Sequence, residues 1–378
     1  MTHGPRYDRR TALQMLATAG GAASLGASAT AAVGAGTTQQ TSRDETETTD
    51  WRWRRELPGP DGANPTDATL GGYHDDLPVL VENVRMDGQL AVLGDDGAPV
   101  WTTTVTDETA AGPVDDDERV YLGDEYGVTA YDRDSGEVAW TSEAFHSSVT
   151  GVVLGDTSLY VDTKRRLFAL DPATGAIQWR GGAPCGDAYS PYRDPVLVDG
   201  AVVAAVDDGL GAFEAATGEV RWSTEVKATA VASGGNNLYA AVEGRVVGMD
   251  TDSGAISWRG DRGASIVSMA ADGLGVVAER SVDINGDELE AVGPGGDQQW
   301  AVFTGYRDVF QCSEPALTGG SVFVGTDYDD TALVELERAT GEVRTAYTAP
   351  DSLISRPRLT GDSVFAASDE GVVYAFDR

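Results

Sequence analysis

Across 378 residues the chain carries 61 Asp and Glu against 27 Lys and Arg, a formal net charge of −34. A field of that sign repels nucleic acid and anionic membrane surfaces, so neither is expected as a direct partner. Its 41% apolar content suffices for a core and excludes disorder along most of the length, while 47 glycines point to many short strands and tight turns.

Residues 1–40 stand apart from the fold. Arg9-Arg10 precede Leu13 and a weakly apolar Ala/Gly stretch from Thr11 to Gly36, with small-residue cleavage candidates at Ala27-Ser28-Ala29 and Thr30-Ala31-Ala32. The segment resembles a twin-arginine export signal, which implies export of the folded protein by that route and an extracellular or envelope-associated location. No Cys follows the stretch, so no lipid anchor is expected, and it is too rich in Gly and Ala for a permanent membrane span. Residues 41–50 read as an acidic linker, and 51–378 as one domain.

Trp51-Arg52-Trp53-Arg54 opens that domain and reads as an outer strand without a copy of its own. The copies follow in order. They are GQLAVLGDDGAPVW ending at Trp101, GVTAYDRDSGEVAW at Trp140, RLFALDPATGAIQW at Trp179, GLGAFEAATGEVRW at Trp222, RVVGMDTDSGAISW at Trp258, ELEAVGPGGDQQW at Trp300, and ALVELERATGEVRT, where Thr345 takes the tryptophan place. A period near 40 residues with four short strands per copy predicts an all-β propeller. Val364 to Arg378 supplies only the middle strands of a last copy, so the N-terminal Trp strand is expected to complete it and close an eight-bladed ring.

Within one copy, LYVDT, LFALD and AIQW read as strands around Lys164-Arg165-Arg166 and Pro172-Ala173-Thr174-Gly175. Gly175 is expected at positive φ, closing a hairpin with a bulge, and Asp171 is expected to bind the turn backbone. Trp53, Trp101, Trp140, Trp179, Trp222, Trp258 and Trp300 are expected to pack on the neighbouring blade and join it to their own.

The pattern A-x-D-x-x-T-G-x-x-x-W resembles the tryptophan-docking repeat of the PQQ-like propeller family, found in quinoprotein dehydrogenases and in BamB-like assembly proteins. The resemblance spans Trp51 to Arg378. It implies eight blades and two functional alternatives. One is a non-catalytic scaffold for a protein partner at the cell envelope. The other is an oxidoreductase holding pyrroloquinoline quinone and calcium at the channel mouth. The enzymes carry long inter-strand insertions and an adjacent Cys-Cys pair, whereas the only cysteines here, Cys185 and Cys312, lie far apart in sequence. The expectation is therefore a scaffold, monomeric and without a cofactor. The acidic composition, with Lys164 and Lys227 the only lysines, resembles that of haloarchaeal proteins, and molar salt would shorten the screening length to about 3 Å.

Ligands of such propellers gather at the channel mouth, so the residues before each innermost strand are the candidates: His146, Arg193, Asp194, Lys227, Glu314 and Arg356. They fit an anionic or small ligand held by scarce cations, or a salt-bridged rim. Cys185 and Cys312 fall in the two longest such loops, where export favours a disulfide and a separation of three blades opposes it; two free thiols are the alternative. Asp283-Ile284-Asn285-Gly286-Asp287 starts like a calcium loop, but Glu288 and Pro294 break the pattern, and an Asn-Gly hairpin accounts for it better.

Overall fold

The computed structural model describes residues 51–59, 65, 67–72, 76–83, 88–105, 109–143, 145, 147–163, 166–181, 194–206, 209–261, 263–281, 287–303, 313–328, 331–353 and 355–378. Short apolar runs broken by turn residues cannot build long strands, and the chain reverses after every two to eight residues. All regular structure among the described residues is strand, in eight four-stranded antiparallel sheets that form the blades of a ring.

Blade 1 runs Asp67–Leu70, Leu77–Glu82, Gly88–Leu93, Pro99–Val105, and blade 2 Thr109–Asp115, Arg119–Asp124, Val128–Asp132, Val138–Ser142. Blade 3 is Val149–Leu154, Leu159–Thr163, Leu167–Leu170, Ile177–Gly181, and blade 4 Val196–Val198, Ala201–Val206, Gly209–Glu214, Val220–Thr224. Blade 5 is Ala230–Gly234, Asn237–Val242, Arg245–Met249, Ile256–Arg259, and blade 6 Ser265–Asp272, Gly275–Ser281, Asp287–Val292, Gln298–Phe303. Blade 7 is Ala316–Leu317, Ser321–Tyr328, Thr331–Glu337, Val343–Tyr347. Blade 8 takes Arg358–Leu359, Ser363–Ala367 and Val372–Asp377 from the C-terminal end and Trp51–Glu56 from the N-terminal end. In each blade the four strands are called a to d. The a strands of successive blades approach one another and line the channel. The b–c and d–a connections share one face of the ring, and the a–b and c–d connections share the other.

The expected closure is present. Trp51–Glu56 pairs antiparallel with Val372–Asp377, and the Leu57 amide donates to the Gly371 carbonyl at 2.9 Å. A register shift between Trp51 and Trp53 sends the two indoles to opposite sides of the blade. Trp51 packs against the apolar layer shared with blade 7, and Trp53 against the layer shared with blade 1. Both indoles are half-buried rather than fully buried, because an outermost strand keeps one edge in water.

The core lies between blades. Ala205, Leu210 and Trp222 of blade 4, for example, join Val231, Leu238 and Val247 of blade 5 in one layer. At about 25 cal/mol per Å² of apolar surface removed from water, these layers supply the main cohesion of the ring.

The tryptophans clamp seven of the eight seams from the rim. In Trp53, Trp101, Trp140, Trp179, Trp222, Trp258 and Trp300 the indole N–H donates across the seam, at 2.6–2.9 Å, to a backbone carbonyl in the next blade's c–d turn. The acceptors include Pro172 for Trp140 and Ala215 for Trp179. The turn glycine sits flat on the indole. Gly175 has φ +70°, and a Cβ there would stand 2.5 Å from the Trp140 ring. Asp171 closes the same turn as expected, accepting from the Ala173 and Thr174 amides at 2.9 and 3.0 Å.

Thr345 breaks the series for a topological reason. The c–d turn of blade 8 would link Asp377 to Trp51, and there the two ends of the ring meet instead of a turn. Blade 7 therefore has no glycine turn to dock on. Its seam is filled by Tyr347, whose ring lies 5.2 Å from that of Phe376.

Candidate functional site

Of the six residues expected at the channel mouth, four are described. Glu314 and Arg356 precede the a strands of blades 7 and 8, and they meet in an ion pair of 2.8 Å on a partly exposed rim. Asp194 is exposed just before the a strand of blade 4, close enough to act electrostatically on Arg358 and on Asp162. Lys227 is exposed between blades 4 and 5 and is engaged rather than free. His146, Arg193, Cys185 and Cys312 lie outside the described residues, as do Asp283 to Gly286. The strands flanking that last stretch pair antiparallel with Ser281 opposite Asp287, the frame of a hairpin.

Sequence reasoning missed Arg358. It sits on the a strand of blade 8, two residues after Arg356, and its Nε donates to the Leu70 carbonyl of blade 1 at 2.8 Å. Burial pushes its guanidinium down to about 10, and the neighbouring Arg356 charge adds to that, while Glu314, Asp115 and Asp194 pull the other way. The run Arg356-Pro357-Arg358 was the available signal: a cation where other copies place small or apolar residues.

On the same face, a cavity of about 280 Å³ opens at the seam of blades 5 and 6, lined by Asp261, Arg280, Glu288, Glu290 and Gln298. Buried Arg280 pairs with Glu290 and donates to the Gly244 carbonyl at 2.9 Å. Gln298 donates to Glu290 at 3.3 Å. Burial raises the Glu288 carboxyl above its ordinary value, and the Glu290 charge raises it further. The opposite face carries two inter-blade clamps at equivalent turn positions. Arg133 of blade 2 reaches Asp115 at 2.6 Å and also Asp76 of blade 1. Arg338 of blade 7 holds both oxygens of Asp272 of blade 6 at 3.1 and 3.2 Å. Among the described residues no cluster of three His, Cys, Asp or Glu is arranged for a metal ion.

Strand b contributes a second clamp that periodicity did not reveal. The Tyr160 hydroxyl donates to the Ala215 carbonyl at 3.1 Å, while the Tyr121 hydroxyl donates to the Asp116 carboxylate at 2.7 Å and stands 3.2 Å from the Pro172 carbonyl of the next blade. Tyr160 shares its acceptor with Trp179 of its own blade, and the carbonyl beside Tyr121 is the acceptor of Trp140.

The fold recurs in solved structures. BamB from Moraxella catarrhalis superposes with a TM-score of 0.66 at 19% identity, covering 87% of this chain and 99% of that one. The computationally designed Ika8 protein gives 0.68 at 16%, covering 85% and 99%, and Sqt1 of Saccharomyces cerevisiae 0.63 at 12%, covering 87% and 99%. At these identities the likeness is one of fold. No curated protein sequence matches the chain significantly. A family model described as outer membrane protein assembly factor BamB matches residues 28–185, 190–292 and 285–378, nearly the whole ring. The chain belongs to that family of PQQ-like repeat propellers.

Proposed function

We propose that this chain is an exported, non-catalytic propeller that holds a protein partner in an assembly at the cell envelope. The carrying observation is the family match along the ring, to a family described by an assembly role. The described site supports it: the charged groups at the channel mouth and seams are largely spent on one another, as in Arg356–Glu314 and Arg280–Glu290. Export rests on Arg9-Arg10 and the Ala/Gly stretch that follows them. A role at an outer membrane does not follow from the fold, since fold does not fix function.

The test is cross-linking and affinity capture from the native envelope fraction, with a parallel incubation in pyrroloquinoline quinone and calcium. Stoichiometric capture of a defined envelope protein, without quinone retention, is the expected result. Quinone retained through gel filtration, with dye-linked alcohol oxidation, would replace the scaffold with a quinoprotein dehydrogenase. Replacing Arg9-Arg10 with Lys-Lys is expected to stop export.

A further inference from the structure

We infer that the channel wall at Arg358 is a binding site for one small oxyanion, held by the guanidinium fork in the seam between blades 8 and 1. The argument is independent of the scaffold reading. Arg133, Arg280 and Arg338 are the buried arginines among the described residues, and each is paired with a carboxylate. Arg358 is only partly exposed, yet no carboxylate of the described residues lies within ion-pairing distance of it. Its one hydrogen bond among those residues uses Nε, on the Leu70 carbonyl. A guanidinium has five N–H donors, so the two terminal nitrogens keep four.

The surroundings do not compensate. Asp115, the acid near Leu70, is taken by Arg133 at 2.6 Å and accepts from the Gly72 amide. Glu314 is taken by Arg356. Arg356 brings a second positive charge, and burial further disfavours the charged guanidinium, as its lowered value records. Asp194, exposed before the a strand of blade 4, acts on Arg358 only through space and forms no ion pair with it. A desolvated cation without a contacting counter-charge is costly, and an anion from solvent offsets that cost. The planar fork selects oxygen pairs, as in carboxylate or phosphate, over a spherical ion. The overall charge of −34 opposes bulky polyanions and favours a small one.

The experiment is equilibrium dialysis of the full chain against labelled inorganic phosphate, and separately against labelled acetate, at constant ionic strength. The proteins are wild type, Arg358→Gln, Arg358→Lys and Arg344→Gln; Arg344 is a surface arginine paired with Glu337 at 3.0 Å. Saturable binding of one phosphate or acetate per wild-type chain is expected, unchanged in Arg344→Gln. Binding should weaken at least about tenfold in Arg358→Gln and by less in Arg358→Lys, which keeps the charge and loses the fork. Near-UV circular dichroism checks folding, and if the Gln variant does not fold, the Lys variant decides. Absence of saturable binding of both probes to wild type overturns the site, as does equal binding by wild type and the folded Arg358 variants, or an equal loss in Arg344→Gln.

Discussion

The Trp53 indole donates to the Asp95 carbonyl at 2.8 Å, across the seam that joins blade 8 to blade 1. That bond ties residues from the start of the ring to a blade otherwise built from its end. The same contact recurs at six more seams and is missing only beside the gap between the chain ends, so the position of the gap decides where a tryptophan is useful.

Two glycines separate the two demands of a docking turn. Gly175 and Gly200 both have φ +70°, but a Cβ at Gly175 would meet the Trp140 ring at 2.5 Å, whereas one at Gly200 meets only Arg221 at 3.9 Å. Gly200→Ala is expected to cost about 1 kcal/mol, from backbone strain alone. Gly175→Ala should cost about 2–4 kcal/mol, because overpacking is added. Urea unfolding at fixed salt measures both, and equal losses would show that docking adds nothing.

Deleting residues 1–56 removes an entire strand ladder and two half-buried indoles, and exposes the edge of Val372–Asp377. Each lost aromatic contributes up to about 1.5–3 kcal/mol, less here for incomplete burial. That truncation is expected to unfold readily or to associate through its open edge, whereas deletion of 1–41 is expected to be nearly neutral. Coincident melting curves for the two would overturn the closure.

Arg338 is 1% exposed and spans both oxygens of Asp272. Asp272→Ala leaves that guanidinium buried and unpaired, with an expected loss of about 3–5 kcal/mol. Removing both partners, Asp272→Ala with Arg338→Met, should recover part of it. A double variant as unstable as the sum of its singles would show that the pair is not coupled.

Asp162 is 4% exposed, and burial pushes its carboxyl well above the ordinary range against one Thr163 backbone N–H, with the Asp194 charge raising it further. The folded protein then keeps a proton that the unfolded chain releases. Stability from this group is full below about pH 4 and is lost as pH rises toward the folded value. Asp162→Asn is expected to exceed wild type in stability at pH 7, with the gap closing as pH falls to about 4. A gap that does not change with pH would contradict this.

The surplus of acids predicts a thermal midpoint that rises steeply from dilute buffer to molar sodium chloride, as screening shortens. A flat response in differential scanning calorimetry would remove the salt-adapted reading.

The blades were legible because a docking tryptophan, its turn glycine and the intervening Asx turn recur in fixed order, as at Asp171, Gly175 and Trp179. Thr345 was visible as a departure, but its cause is the ring's gap, which only the three-dimensional path shows. Tyr121 and Tyr160 were hidden because a strand-b aromatic fits the apolar pattern whether or not its hydroxyl has a task. Arg358 was hidden because the a strand of blade 8 spans only Arg358–Leu359, and the repeat pattern stops before reaching it. The two long loops with Cys185 and Cys312, where the sequence placed much of its expectation, fall outside the described residues.

The closing strand also gives the ring a direction. Trp51 and Arg378 both stand at the c–d side of blade 8, the side of the turns on which the tryptophans dock. The Glu314–Arg356 rim and the cavity at Arg280 lie on the opposite side, so alterations at the chain ends are made away from both.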